Sequence, residues 1–288
     1  MVFRSKPHDI SALACWHGIR DYLTSAASCN RAQGNEMKFM SWLVCCVSLL
    51  LCHLAIAANE PVVDIYLLRH GKTMFNTTNQ VQGWSDTPLT AAGVAGAQAA
   101  GRGLASIPFI AVHSSDLGRA RSTARIVLAQ GRQQQLPVQE DERLREWNYG
   151  SFEGRPDAEM WTPLFARQGM QFDPQWGNWP EFTSKMSDSA IAQAIHDADP
   201  RGWAETYPQI TTRLRAAMQD IVDKAMVAGG GNVLVVSHGG AILTILEVLL
   251  PGQAKHSDIP NSSITVLRYQ HGQYHLLKVG DVSYQRQP

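Results

Sequence analysis

The chain has 288 residues, of which 44% are hydrophobic and 17% are charged, and this composition excludes a mostly disordered protein. Lys plus Arg and Asp plus Glu both total 25, so the formal net charge is zero. From residue 59 onward the chain has 20 basic and 22 acidic side chains, which excludes an overall basic field for nucleic acid. We therefore expect no nucleic-acid partner.

Residues 37–57 have the pattern of a secretory signal peptide. Lys38 supplies a positive charge, and residues 42–52 are apolar apart from one serine. Residues 55–57 are Ala-Ile-Ala, which fits the Ala-x-Ala pattern that signal peptidase recognises. An uncleaved inner-membrane anchor is the alternative, because the uncharged stretch is just long enough to span a bilayer. The short apolar core and the alanine-rich end favour cleavage.

This pattern divides the chain into three parts. Residues 1–36 are interpreted as a mis-assigned upstream extension, and residues 58–288 as one folded body that is periplasmic or secreted, with no stable membrane insertion after processing. The body contains no cysteine, which excludes disulfides, zinc-thiolate sites and a cysteine nucleophile there. All five cysteines lie before residue 59, at Cys15, Cys29, Cys45, Cys46 and Cys52.

In the body, runs of β-forming residues alternate with helical patterns. This alternation predicts a three-layer α/β/α sandwich with a mostly parallel central sheet. The predicted strands are 62–68, 109–113 and 232–236, followed by a C-terminal hairpin of 263–269 and 273–279. The predicted helices are 91–105, 119–130, 206–228 and 241–250.

Residues 155–200 lose the strand period and are rich in Trp, Pro and Asp, so we interpret them as an inserted, lid-like region. Aromatic residues concentrated in and around this region have two equally weighted interpretations, namely packing within the insertion and lining of a substrate cavity. These residues are Trp147, Trp161, Trp176, Trp179 and Trp203.

Two histidines directly follow predicted strands. Arg69 and His70 end the first strand, and His238 ends the strand at 232–236. Because the carboxyl ends of parallel strands meet at one edge of a sheet, we expect the two histidines to lie together there. Gly239 follows the second histidine and opens a helix, whose free N–H groups favour an anion.

The ordered set of motifs resembles the histidine phosphatase superfamily, in its phosphoglycerate-mutase-like branch. The resemblance covers residues 64 to about 270. Its blocks are Arg69-His70-Gly71, Asn76, Gly83-Trp84, Asp86-Thr87-Pro88-Leu89-Thr90, Ser114-Ser115-Asp116-Leu117-Gly118-Arg119-Ala120, Thr123-Ala124, Leu144-Arg145-Glu146, Gly150, Glu153-Gly154 and Ser237-His238-Gly239-Gly240.

The catalytic residues are assigned from this resemblance together with the needs of phosphoryl transfer. The resemblance implies that His70 becomes a phosphohistidine and that Glu146 protonates the leaving oxygen and then activates water. Arg69 and Arg119 have planar guanidinium groups suited to phosphate oxygens. His238 completes the catalytic set as a hydrogen-bond donor. Neighbouring cations favour the neutral form of His70 that nucleophilic attack requires.

The substrate-binding residues are predicted to be Asn76, Gly83 and Gly239. With arginines supplying the positive charge, the scheme needs neither a metal nor a cofactor. Lys72 departs from the family pattern, which usually has glutamate or glutamine there, and its charge either attracts phosphate or faces solvent.

Several residues compete for these roles and are assigned structural ones instead. Arg121 and Arg125 are expected on a solvated helix face. Glu142 is rejected as the general acid in favour of Glu146. Glu153 is expected to be a structural partner of a turn. No catalytic role is assigned to His113, His196, His256, His271 or His275.

The predicted function is therefore that of an exported, metal-independent phosphomonoesterase whose substrate is a phosphorylated small molecule or a phosphopeptide. Phosphoglycerate mutase is the alternative enzyme, but residues 155–200 lack the paired arginines and proline run of the mutases. A non-catalytic phosphate-binding module is a further alternative, which the presence of both His70 and Glu146 argues against.

Overall fold

The computed structural model describes residues 60–131, 133–253 and 259–286. The predicted signal peptide, the upstream extension and His256 lie outside these residues, so those assignments stay predictions. Within the described residues, no helix is both long enough and apolar enough to cross a membrane.

The described chain forms six strands and eight α-helices. The strands are β1 (Val63–Arg69), β2 (Phe109–Ser114), β3 (Val138–Glu140), β4 (Gly231–Ser237), β5 (Ile264–Gln270) and β6 (Gln273–Asp281). The helices are α1 (Met74–Thr78), α2 (Ala91–Leu104), α3 (Gly118–Gln130), α4 (Asp157–Ala166), α5 (Trp179–Lys185), α6 (Asp188–Ala198), α7 (Tyr207–Val227) and α8 (Gly239–Leu249).

The strands form a single mixed sheet in the order β3-β2-β4-β1-β5-β6. Strands β1 to β4 are mutually parallel where they pair, whereas β5 lies antiparallel to both β1 and β6. The mostly parallel sheet and the C-terminal hairpin are therefore confirmed. In the register of β1 and β4, Arg69 is opposite Ser237, so His70 and His238 leave the sheet side by side.

Alternate residues of the central strands point to two separate hydrophobic layers, as expected for a sheet covered on both faces. On β4, Val233 and Val235 pack into one layer with α7 and α8, while Leu234 and Val236 pack into the other with α2 and α3. This division confirms the three-layer sandwich.

The region at 155–200, in which the sequence shows no strand period, contains the three short helices α4, α5 and α6. Pro163 lies inside α4 and Pro180 lies in the first turn of α5, which obscures the helical pattern in the sequence. For α6 a usable signal was present, because Ser187 caps the helix and Ile191 and Ile195 recur at helical spacing.

Acid sensitivity is predicted from His113, which is buried in β2. Burial, assisted by Lys224, lowers the pKa of His113 to about 4. The unfolded chain therefore takes up this proton near pH 6.5, before the folded protein does, so stability falls as the pH drops from 6.5 toward 4. The loss from this group is about 3 kcal/mol.

The variant His113→Phe keeps an aromatic ring and removes the titration. We expect its free energy of unfolding, measured with urea at pH 7, 5 and 4, to fall less with acid than that of the wild type. Parallel pH profiles for the two proteins would show that His113 is not responsible.

Candidate active site

The two strand-end histidines lie together at the carboxyl edge of the sheet. The N–H of His70 donates to the carbonyl oxygen of Ser237 at 3.0 Å, which continues the pairing of β1 with β4 past the strand end. The ring centroids of His70 and His238 are 5.1 Å apart. Both rings are buried. The sheet register thus produces the juxtaposition expected from the sequence.

One hydrogen bond fixes which nitrogen of His70 can react. Its Nδ1 lies 2.8 Å from the carbonyl oxygen of Gly71. A carbonyl only accepts hydrogen bonds, so Nδ1 must carry the proton and donate it. In the neutral ring the lone pair is then on Nε2, and Nε2 is the atom available to attack phosphorus.

The surroundings of both histidines favour their neutral forms. Burial lowers the pKa of His70 well below its usual value, and the positive charges of Arg119 and Arg69 lower it further. Burial also lowers the pKa of His238, with additional effects from Arg119 and His70. The sequence indicated the cations, whereas the larger effect of burial required the structure.

Arg119 is at the start of α3 and is only 1% exposed. Its guanidinium donates to the carbonyl oxygens of Gly83 at 2.6 Å and Ser85 at 2.9 Å, and to Asp86 Oδ1 at 3.0 Å. Its Nε, however, has no hydrogen-bond partner among the described residues. Arg119 therefore holds the loop at 83–86 and places its positive charge beside His70.

Arg69 lies at the end of β1 and donates from a guanidinium nitrogen to the carbonyl oxygen of Ile259 at 2.6 Å. A Cβ added to Gly239 would lie 3.3 Å from Arg69 Cζ, so the guanidinium packs directly against the start of α8. The arginine next to His70 is thus held between the chain after α8 and the helix itself.

Glu146 occupies the N-terminus of α8, where the sequence predicted an anion. Its Oε1 accepts from the N–H groups of Trp147 at 3.0 Å and Ala241 at 2.7 Å, and its Oε2 accepts from the N–H of Gly240 at 2.9 Å. The anion at this helix end is therefore a side chain of the protein itself. Because Oε1 already accepts two hydrogen bonds, Oε2 is the oxygen with a lone pair left for a proton.

Two glycines are required by close contacts at the site. A Cβ on Gly240 would lie 2.8 Å from Glu146 Oε1 and would displace the carboxylate. A Cβ on Gly71 would lie 2.5 Å from the carbonyl oxygen of Gly93 in α2. The absence of a side chain at Gly71, the residue after His70, therefore allows the loop to pack against α2.

The amide of Asn76 is oriented by a residue that sequence reasoning missed. Asn76 Oδ1 accepts from the N–H of Thr73 at 3.2 Å and from Asn261 Nδ2 at 3.3 Å. Asn261 also donates to the carbonyl oxygen of His70 at 3.1 Å. With its oxygen engaged, Asn76 has its NH₂ group left to act as a hydrogen-bond donor. The motif spacing carries no signal for Asn261, which lies 185 residues from Asn76.

Gly83 lies in the loop beside the site, and its backbone groups are already engaged. Its N–H donates to Glu153 Oε2 at 3.1 Å, and its carbonyl oxygen accepts from Arg119. Glu153 also accepts from the N–H groups of Trp84, Ser85 and Tyr149. The structural role predicted for Glu153 is confirmed, and the structure assigns Gly83 the same loop-forming role.

Arg213 on α7 is a second residue that the sequence did not reveal. It forms a two-pronged ion pair with Glu205, with one contact at 2.7 Å on each oxygen. It also donates to the carbonyl oxygens of Arg143, Arg145 and Glu146, at 3.0, 2.6 and 2.7 Å. Arg213 is therefore a positioning residue, which holds the backbone on either side of the Glu146 carboxylate.

The arginines and the glutamate that were rejected for catalytic roles lie at the surface. Arg121 pairs with Glu140 at the surface, Arg125 is exposed, and the side chain of Glu142 is 75% exposed. Among the other described histidines, His196 bonds a backbone carbonyl, His271 lies at the hairpin tip with Glu60, and His275 lies on β6.

A cavity of about 720 Å³ is lined by Arg69 and Gly239, the residues next to the two histidines in the chain. Glu146 and Asn76 also line the cavity, and so do residues of the three helices in the 155–200 region. Lys72 also lines this cavity and is exposed to it.

Three of the tryptophans both pack against one another and line this cavity. Trp161, Trp176 and Trp179 line the cavity while packing edge to face, with ring centroids 5.2 to 5.5 Å apart. Trp147 is buried beside them, and its indole N–H donates to Thr244 Oγ1 at 2.9 Å. Trp203, in contrast, is 60% exposed and lies outside this cavity.

Comparisons with known proteins agree with this geometry. The family model described as histidine phosphatase superfamily (branch 1) matches residues 65–282. The 2,3-bisphosphoglycerate-dependent phosphoglycerate mutase 2 of Gloeobacter violaceus is 32% identical over 198 residues, which is 68% of this chain and 80% of that protein.

Two solved structures share the fold. The phosphoglycerate mutase from Bacillus anthracis superimposes with a TM-score of 0.72 and 38% identity, covering 79% of this chain and 96% of that one. A mycobacterial glucosyl-3-phosphoglycerate phosphatase, solved with VO3, has a TM-score of 0.58 and 26% identity over 76% of this chain and 98% of its own.

Proposed function

Because this chain belongs to the histidine phosphatase superfamily, we propose that it hydrolyses phosphate monoesters through a phosphohistidine formed on His70. Relatives of this chain include both mutases and a phosphatase, so membership alone does not choose between hydrolysis and isomerisation. The observation that carries the proposal is the hydrogen bond between His70 Nδ1 and the carbonyl oxygen of Gly71, which leaves the lone pair on Nε2 of a ring beside the positive charges of Arg119 and Arg69.

In the first step the Nε2 lone pair attacks phosphorus, so a P–N bond forms as the P–O bond to the alcohol breaks. Glu146 supplies a proton from Oε2 to the departing oxygen. The charge on the equatorial oxygens is met by Arg69, Arg119, His238 and the Asn76 amide. Neither arginine titrates near neutral pH, so the positive charge is constant.

In the second step the Glu146 carboxylate takes a proton from a water molecule, which attacks phosphorus from the side that the alcohol left. The P–N bond breaks, inorganic phosphate forms, and the electron pair returns to His70 Nε2. The protons balance, because the one that Glu146 gave to the alcohol is replaced from water.

Hydrolysis is favoured over mutase activity by the charges of the cavity. A mutase must hold the carboxylate of phosphoglycerate as well as its phosphate. Among the described residues that line the cavity, the basic ones are Arg69 and Lys72, and both lie close to His70 in the chain. Beyond Arg69 and Lys72, the described lining residues include no cation for a second anionic group.

The proposal is tested by the release of phenol from an aryl phosphate. We expect turnover by the wild type, with the same rate in EDTA because the scheme uses no metal. A separate assay with 3-phosphoglycerate and added 2,3-bisphosphoglycerate is expected to give no isomerisation. Isomerisation that exceeds hydrolysis would establish the mutase instead, and binding without turnover would establish a phosphate-binding module.

A further inference from the structure

The part of the cavity wall that residues 155–200 contribute carries two carboxylates and no described basic residue. Asp157 begins α4 and Asp188 begins α6, and both line the cavity. Burial raises the pKa of Asp157 to about 6, and burial together with Glu247 raises the pKa of Asp188. No cation among the described residues lowers the pKa of either carboxyl group.

The backbone of Asp157 is fixed by the segment that directly follows α1, the helix that carries Asn76. Its N–H donates to the carbonyl oxygen of Asn79 at 2.9 Å, and Asn79 is the C-cap residue directly after α1. Gln80 bridges to Pro156 and donates to the carbonyl oxygen of Gly154 at 2.8 Å. Because Asn76 lies on α1, Asp157 is held at a defined place relative to the Asn76 amide.

Three tryptophans from the 155–200 region line the same cavity. Trp161 and Trp179 lie on α4 and α5, and Trp176 lies in the connection between these helices with a positive φ of 62°. A bulky residue is rarely found in this left-handed conformation, so surrounding contacts must hold the indole in place. Indole faces attract cations, and Trp does so more strongly than other aromatic residues.

We propose that the preferred substrates are phosphate monoesters of small alcohols that carry an ammonium group. The ammonium group would lie between the indoles and the carboxylates of Asp157 and Asp188, while the phosphate faces His70. This inference rests on the proposed phosphatase activity and adds the class of alcohol. The same wall repels an alcohol that carries a carboxylate, such as glycerate.

The test compares phosphate release from three esters of similar length. Choline phosphate carries a quaternary ammonium group, 3,3-dimethylbutyl phosphate is its neutral isostere, and 3-phosphoglycerate carries a carboxylate. We expect kcat/KM for choline phosphate to exceed that for the neutral ester by roughly tenfold, with 3-phosphoglycerate the poorest.

The variants Asp157→Asn and Asp188→Asn should lower kcat/KM for choline phosphate by several-fold to roughly tenfold each. The same variants should leave the neutral ester nearly unchanged and should improve 3-phosphoglycerate. Matched controls lie on the same two helices but outside the cavity. Glu159→Gln removes an exposed carboxylate that pairs with Arg155, and Asp197→Asn removes one that bonds Gln193.

The outcomes separate the two proposals. Hydrolysis of all three esters with no charge preference, or a preference that survives both aspartate substitutions, would overturn the ammonium site and leave the phosphatase standing. Failure of the wild type to hydrolyse any of these esters or an aryl phosphate would overturn the phosphatase. In that event, the ammonium site is tested by calorimetry of ligand binding to His70→Ala. Tighter binding of choline phosphate than of the neutral isostere would support the site, and equal binding would refute it.

Discussion

Replacing His70 with alanine is expected to abolish hydrolysis, with a loss of roughly 10⁴-fold or more. The reason is that Nε2 of His70 is the atom that forms the covalent bond to phosphorus. His238→Ala should leave a residual rate, lower by on the order of 10²–10³-fold, because His238 supplies a hydrogen bond and not the nucleophile. Both rates are measured by phosphate release at saturating substrate.

The covalent intermediate itself identifies the nucleophile. Phosphohistidine is labile to acid, so ³²P-labelled substrate should be mixed with enzyme and quenched in alkali. We expect label on the wild type and none on His70→Ala, with His113→Ala as the matched histidine control that keeps the label. Label that survives in His70→Ala would show that the nucleophile has been assigned to the wrong residue.

The second large effect is expected from Glu146→Gln, which should slow alkyl phosphates by about 10²–10⁴-fold and activated aryl phosphates far less. An alkoxide is a poor leaving group and needs the proton from Glu146, whereas a nitrophenolate leaves without one. The measurement is kcat for a series of esters whose alcohols differ in pKa.

Glutamine also changes the packing at α8, so the variant needs a structural control. The carboxylate accepts from three N–H groups, and an amide has only one oxygen to accept with. Thermal unfolding of Glu146→Gln reports this loss, and Glu142→Gln is the matched control at a neighbouring exposed carboxylate. Equal losses on alkyl and aryl esters would remove Glu146 from the role of acid.

The central sheet and its flanking helices were predictable because their signals are local. Apolar runs such as 232–236 and the threonine cap of α2 depend on residues close together in the chain. The parallel order then brings strand ends to one edge, so the meeting of His70 with His238 followed from the same reasoning. Their distance of 5.1 Å did not, since it depends on the register of β1 and β4.

The insertion was less predictable because its helices are short and depend on tertiary packing. Helices α4, α5 and α6 have 10, 7 and 11 residues, lengths at which an isolated helix is marginal in water. Their stability comes from the aromatic cluster, in which Phe165 stacks on Phe182 at 4.0 Å. Such contacts join residues of different helices, so no single window of sequence displays them.

The amino-acid sequence by itself determined the family, the α/β architecture and the residue types that phosphoryl transfer needs, because these depend on motifs and on short-range periodicity. Only the tertiary structure decided how they are held. The anion at the start of α8 is Glu146, from 94 residues earlier in the chain, and Arg213 holds the backbone beside it from 67 residues later. Contacts at such separations arise from packing of the whole domain, and no spacing rule encodes them.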